Sequence, residues 1–392
     1  LSDASSLTFT SDIRFWEEHT IHQNSTGDLT FSSNVGLDDG TLATLTVEGF
    51  GDVIIDGVIS DLNNRGQIFM NGSGTLALNA NNTFADGVTL NSGTLALGND
   101  NALGTTATSD FTINGGAVEA LGGTRNIGND FDINASYTVN GSEDLTFAGD
   151  GTLAAGSQQI TVAPAITHTL SGDLTGTGAI TKAGDGTLAL TGGTKTFSGG
   201  LTVNAGTVEA TRSGNITLGT ADGANNIAGA GAITVNSGGT FDLTQSGNNA
   251  ITLRGAPLTN DGGTLNISST GDNANRDFLI GTDSANTGQL VSTGGTTTID
   301  VGDDVRIRPN SSIEVSGGTV NINPADAFVT EGTSSNGATI DVTGTGTLNV
   351  DITGARSDDN EIRLGQHDTM TVQGADAAAN FTGQANSAID ID

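Results

Sequence analysis

Cysteine is absent from this 392-residue chain, proline occurs four times and aromatic residues make up only 4%. No disulfide can hold such a chain, so its stability must come from packing alone. The lack of thiols neither requires nor forbids an oxidising compartment. Basic residues are also scarce: 12 against 44 acidic ones, for a formal net charge of −32, with Lys182 and Lys195 the only lysines. A surface of that sign repels phosphate backbones and anionic lipid, and no basic patch or aromatic platform interrupts it, so nucleic acid is excluded as a partner. No stretch approaches the roughly 20 apolar residues of a membrane helix, so no membrane insertion is expected of this chain. Leu1 opens no charged-then-apolar leader.

What the chain does have is a repeat. GTLAL occurs at residues 74–78, 93–97 and 186–190. Looser copies read GGAVEA at 115–120, GTLAA at 151–155, GTVEA at 206–210, GGTFDL at 238–243, GGTLNI at 262–267, GGTTTI at 294–299, GGTVNI at 317–322 and GTGTLNV at 344–350. Each is a glycine turn followed by alternation of small or polar residues with Leu, Ile or Val, the period-2 signature of a strand. In 74–79 this sets Leu76 and Leu78 inward and Thr75 and Ala77 outward. One such unit cannot bury its own apolar face and needs a neighbour above and below, so the repeat implies stacking. No amphipathic helix longer than a few turns is found. The expected fold is all-β: a single right-handed parallel β-helix, or β-solenoid, drawn out into an elongated rod. Three regions are distinguished: 1–64 as N-terminal coils with a possible cap, 65–215 with the clearest repeats, and 216–392 as continuing, more degenerate coils.

Residues 70–104 and 178–210 resemble the passenger-associated repeat of bacterial autotransporters. The pattern is a Lys-containing GxGTL strand, an NTF or NTY turn, a Gly-rich TxVNxG strand and a further GTL strand. Lys182, Gly184, Gly186, Thr187, Leu188, Thr196, Phe197, Gly199, Gly200 and the run 203–207 match it, whereas Met70 or Asn71 stands where the first copy would carry Lys. The resemblance implies a β-helix that is secreted and displayed at the bacterial cell surface. The chain then reads as a processed passenger, a fragment, or a mature secreted protein.

Chemistry-bearing constellations are few. Calcium needs clustered oxygen ligands. The places that offer them are Asp303 with Asp304, Asp358 and Asp359 with Asn360 and Glu361, and Asp38 with Asp39. None fits an EF-hand loop or a calcium-binding nonapeptide, so the acidity is read either as solubility or as calcium binding; no other cofactor is expected. His19 and His22 lie three apart, on opposite faces if the segment is a strand. Trp16 beside them is read as a plug for the first coil. His168 and His367 stand alone. Asp303 and Asp304 near Arg306 evoke a glycoside-cleaving pair, but neighbours on a strand point oppositely, and no catalytic residue is assigned. Ser and Thr are too common to nominate a nucleophile without a partner base.

The expected role is therefore non-enzymatic: structural or adhesive, with cell-surface or glycan ligands and self-association, head-to-tail or lateral, into extracellular filaments. Ile389 and Ile391 read as one face of a strand seeking a further coil. Leu7, Phe9, Phe15 and Trp16 form the apolar opening that would receive it. A carbohydrate-active hydrolase or lyase, and a trimer like a phage tail fibre, are the alternative readings.

Overall fold

The computed structural model describes residues 5–37, 43–62, 65–105, 110–219, 226–227, 231–269, 277–353, 361–383 and 388–391. Among the described residues every regular element is a strand, and none is a helix long and apolar enough to cross a membrane. The all-β, parallel β-solenoid reading is what the structure shows. Contacts gather the chain into two units, Leu1–Gly176 with Gly184–Ala189, and Thr177–Ala183 with Leu190–Asp392.

In the first unit one parallel ladder runs through Leu7–Phe9, Leu29–Phe31, Val53–Ile55, Thr75–Leu78, Thr94–Leu97, Ala117–Ala120, Tyr137–Asn140 and Ser157–Val162. A second runs from Glu18–Gln23 through Ala43–Gly49, Gly66–Met70, Val88–Leu90, Phe111–Ile113, Phe131–Ile133 and Gly151–Leu153 to Leu174–Gly176. The register places like on like: Leu76 beside Leu95 and Leu78 beside Leu97. All four are fully buried, as are Leu188 and Leu190 of the third GTLAL copy. Ala77 departs from the expected alternation, being only 5% exposed although its parity is outward. Its single methyl lies at backbone level, flanked by Ile54 and Ala96 in the neighbouring coils.

Polar side chains bind coil to coil as well. Asn91 donates its amide N–H to Asn71 Oδ1 (2.6 Å), Asn114 to Asn91 (2.8 Å) and Asn134 to Asn114 (3.0 Å), at steps of 20, 23 and 20 residues. Each such bond contributes on the order of 0.5–1 kcal/mol.

The second unit has longer coils. Register steps between its neighbouring coils run from 23 residues at Asp300–Asn323 through 32 at Leu201–Ile233 to 33 at Thr207–Thr240. The extra length goes partly into strands that turn a corner unbroken: Leu258–Ser269, Gln289–Val301 and Ser312–Pro324. Gly295 makes one such corner at φ +69°, where an added Cβ would lie 2.0 Å from the Gly263 carbonyl oxygen. Only glycine tolerates both the left-handed backbone and that approach. Asn260, fully buried, satisfies the same corner, donating to Thr296 O (2.9 Å) and Thr297 Oγ1 (3.0 Å) and accepting from Gly263 N–H (2.9 Å).

The repeat residues face inward. Lys182 shares the inward parity of Ile180 in Ala179–Ala183 and is fully buried. Its ammonium donates to Ala183 O (2.9 Å) and to Ala205 O one coil on (3.1 Å). Met70, its counterpart in the first copy, is also buried, at 1% exposure. Asn82 and Lys195 are a second such pair, each followed by Thr and an interior Phe, Phe84 or Phe197. Asn82 accepts from Ile59 N–H (2.8 Å) and donates to Ala102 O (2.7 Å), bridging the coils on either side. Lys195, fully buried, donates to Thr191 O and Gly193 O, both at 2.8 Å. Carbonyl oxygens thus take the place of water around both ammonium groups.

Candidate functional site

Asp303 lies in a bend and Asp304 immediately precedes the strand Val305–Ile307, so strand alternation does not apply to them. The expectation that they diverge is corrected: Asp277, Asp303 and Asp304 each bring an oxygen within 4.8 Å of the others. Asp303 and Asp304 are 5% and 6% exposed. Asp304 Oδ1 accepts from Ala327 N–H (2.9 Å) in the next coil. Arg306 closes the cluster from outside, paired with Asp304, with Glu331 (2.8 Å) and with Asp277 (3.9 Å), while Arg308 also reaches Glu331. Burial and then the neighbouring Asp304 hold the Asp277 carboxyl above its usual range, with Arg306 pulling the other way. The arrangement has converging oxygens suited to a hard cation, but Arg306 already offsets part of their charge. It is poorly suited to polymer cleavage, which needs carboxylates that a substrate can reach.

The other sequence candidates separate. Glu361 sits in the strand Glu361–Leu364 beside Arg363 (3.6 Å). Asp358 and Asp359, like Asp38 and Asp39, lie outside the described residues. His22 Nδ1 is 3.1 Å from Glu48 Oε2, and His19 stands edge-on to Phe15 with centroids 5.3 Å apart.

Leu7, Phe9 and Phe15 do come together. With Ile13, Leu29 and Phe31 they line an apolar hollow of about 330 Å³, where Phe9 stacks on Phe31 at 5.2 Å. Trp16 does not join them and does not plug the coil; it is 58% exposed. Ile13 and Phe15 take the inward parity of their strand, and the chain then turns at Glu17, φ +72°, leaving the indole on the corner. The backbone of Ala388–Ile391, which contains Ile389 and Ile391, extends a ladder in parallel with Glu361–Leu364.

Two features escaped the sequence reading. His168 is not alone but fully buried in the first unit. Its Nδ1 bonds Leu145 O (3.0 Å) and its Nε2 bonds the Tyr137 hydroxyl (2.8 Å). A carbonyl can only accept, so Nδ1 carries the proton and Tyr137 donates to Nε2. Burial pushes this imidazole down to about 4. The second feature is a trough of about 360 Å³ on the same unit, in which Asp110, Asp130, Asp132, Asp150 and Asp173 line up across successive coils. Asp150 N–H donates to Asp130 Oδ1 (2.8 Å) and Asp173 N–H to Asp150 Oδ1 (2.9 Å), at steps of 20 and 23 residues. Burial, then Asp130 and Asp132, raise the Asp110 carboxyl above its ordinary range. The signal was present as an Asp immediately before a strand at coil spacing.

Fold and repeat together resemble the β-solenoid passengers of autotransporters. Residues 70–97 and 180–210 match the passenger-associated-transport-repeat family, and they contain the inward pairs Met70 with Asn82 and Lys182 with Lys195. The chain is also 32% identical over 162 residues, 38% of its length, to the adhesin BmaC autotransporter of Brucella suis biovar 1 (strain 1330). It spans about 4% of the length of that relative. No solved structure matches it significantly.

Proposed function

We propose that the chain is a stretch of a secreted, surface-displayed passenger whose role is adhesive and non-enzymatic. The observation that carries this reading is the similarity to the Brucella adhesin, on a fold that uses its repeat residues for the interior and leaves the outward strand faces free for contact. Beads coated with the purified chain should adhere to cultured epithelial cells or to immobilised matrix glycoproteins. Adherence no greater than that of beads carrying an unrelated acidic protein would remove the reading.

Two finer elements belong to the same proposal. The hollow of Leu7, Phe9 and Phe15 is a place where a further coil stacks, and head-to-tail association is its intermolecular form. Sedimentation should then show concentration-dependent growth, and a monomer at every concentration would discard filaments. The Asp277, Asp303 and Asp304 cluster is proposed to take calcium. Millimolar calcium should raise the melting temperature by mass action, and chelation or Asp303→Asn should reverse the gain. An unchanged melt leaves the acidity as a matter of solubility.

A further inference from the structure

The second unit carries an outward strand face organised in three files along successive coils. One file reads Thr207, Thr240, Thr264, Thr296, Thr319 and Thr347. The middle file begins Glu209, Asp242, Asn266, and the third begins Thr211, Thr244, Ser268. Over the first three coils this face is concave, a trough of about 320 Å³ lined chiefly by Glu209, Thr211, Asp242, Thr244, Asn266 and Ser268. Asn266 donates to Asp242 Oδ1 (2.7 Å), and Thr244 and Ser268 lie within hydrogen-bond distance of each other (3.3 Å), so the lining is held in place by its own bonds.

We propose that this trough and the files continuing from it bind an extended, uncharged polysaccharide laid along the stack of coils. This rests on the adhesive reading and names its ligand class. The lining offers two carboxylates, three hydroxyls and an amide, with no cationic or aromatic side chain, so it pairs with sugar hydroxyls and repels sulfated, sialylated or uronic polymers. Neighbouring strands repeat at about 4.8 Å, a spacing close to the length of one sugar residue in an extended glycan. Files that run through several coils suit a polymer better than a single sugar. A second copy of this chain is disfavoured, because acidic faces would meet.

The test uses the full chain immobilised on a biosensor, probed with neutral β-glucan and galactomannan and with heparin and alginate. The neutral polymers should bind and the anionic ones should not. Asp242→Ala combined with Asn266→Ala should weaken binding at least tenfold, whereas Thr89→Ala, on the other unit, should leave it unchanged. Circular dichroism verifies that the variants keep their strands, and Glu209→Gln provides a milder change should the double variant unfold. Binding that survives the face variants, preference for the anionic polymers, or no binding of either neutral polymer would overturn the proposal. Beads bearing the double variant that adhere to cells as well as the unaltered chain would also overturn it while sparing the adhesive reading. Polysaccharide binding by a chain that adheres to no cell would do the reverse.

Discussion

Lys182→Met should cost less than about 1.5 kcal/mol, within the range of volume-conserving interior exchanges, whereas Lys182→Ala should cost about 2–5 kcal/mol, as truncation of a long buried side chain does. The chain already makes the first exchange, with Met70 buried where the other copy has Lys182. Methionine keeps the volume and avoids burying a charge, at the expense of the bonds to Ala183 O and Ala205 O. Alanine loses those bonds and leaves a cavity as well. Urea unfolding followed by circular dichroism separates the two. If methionine proved as damaging as alanine, the ammonium-to-carbonyl bonds would be the larger contribution.

Acid should destabilise the first unit through His168. Its imidazole is held down to about 4 in the fold, from an ordinary 6.5. As pH falls through 6.5 the unfolded chain takes up the proton first, so the stability from neutral His168 is complete above that value. It drains away as pH falls toward 4, amounting to about 3 kcal/mol in all. Trp16 and Tyr137, the only Trp and Tyr, both lie in the first unit, so fluorescence during urea titration reports that unit. In His168→Gln the amide can serve both partners without titrating, and its stability relative to the unaltered chain should improve steadily from pH 7 to 4.5. Parallel curves for the two proteins would assign the acid sensitivity elsewhere. Asp110 and Glu119, both raised, act in the opposite sense in both proteins and cancel in the comparison.

The fold was readable because two periods coincide in the sequence, the alternation within strands and the return of glycine turns between them. That was enough to place Leu76, Leu95 and Leu188 in an interior. The parity argument also contained the burial of Lys182, two residues from Ile180, though charge alone would set it outside. The same argument misplaced Asp303 and Asp304, because a bend suspends alternation; Trp16, expected as a plug from its place at the first coil rather than from parity, stands exposed after Phe15. The His168–Tyr137 bond joins residues 31 apart, and no local pattern announces which residues of two coils will meet. The trough at Asp242 likewise depends on the register of three coils rather than on a motif within any one.

Among the described residues, the files of asparagine-to-asparagine bonds between coils run one way. Asn91, Asn114 and Asn134 each donate to the coil before, as do Asn236, Asn349 and Asn380. Every coil in such a file therefore has an acceptor ready for its successor and brings a donor to its predecessor. A duplicated coil spliced in frame would find both partners waiting, because each asparagine amide offers a donor and an acceptor. Directional files of this kind let a gene lengthen its product by tandem duplication without redesigning the joints.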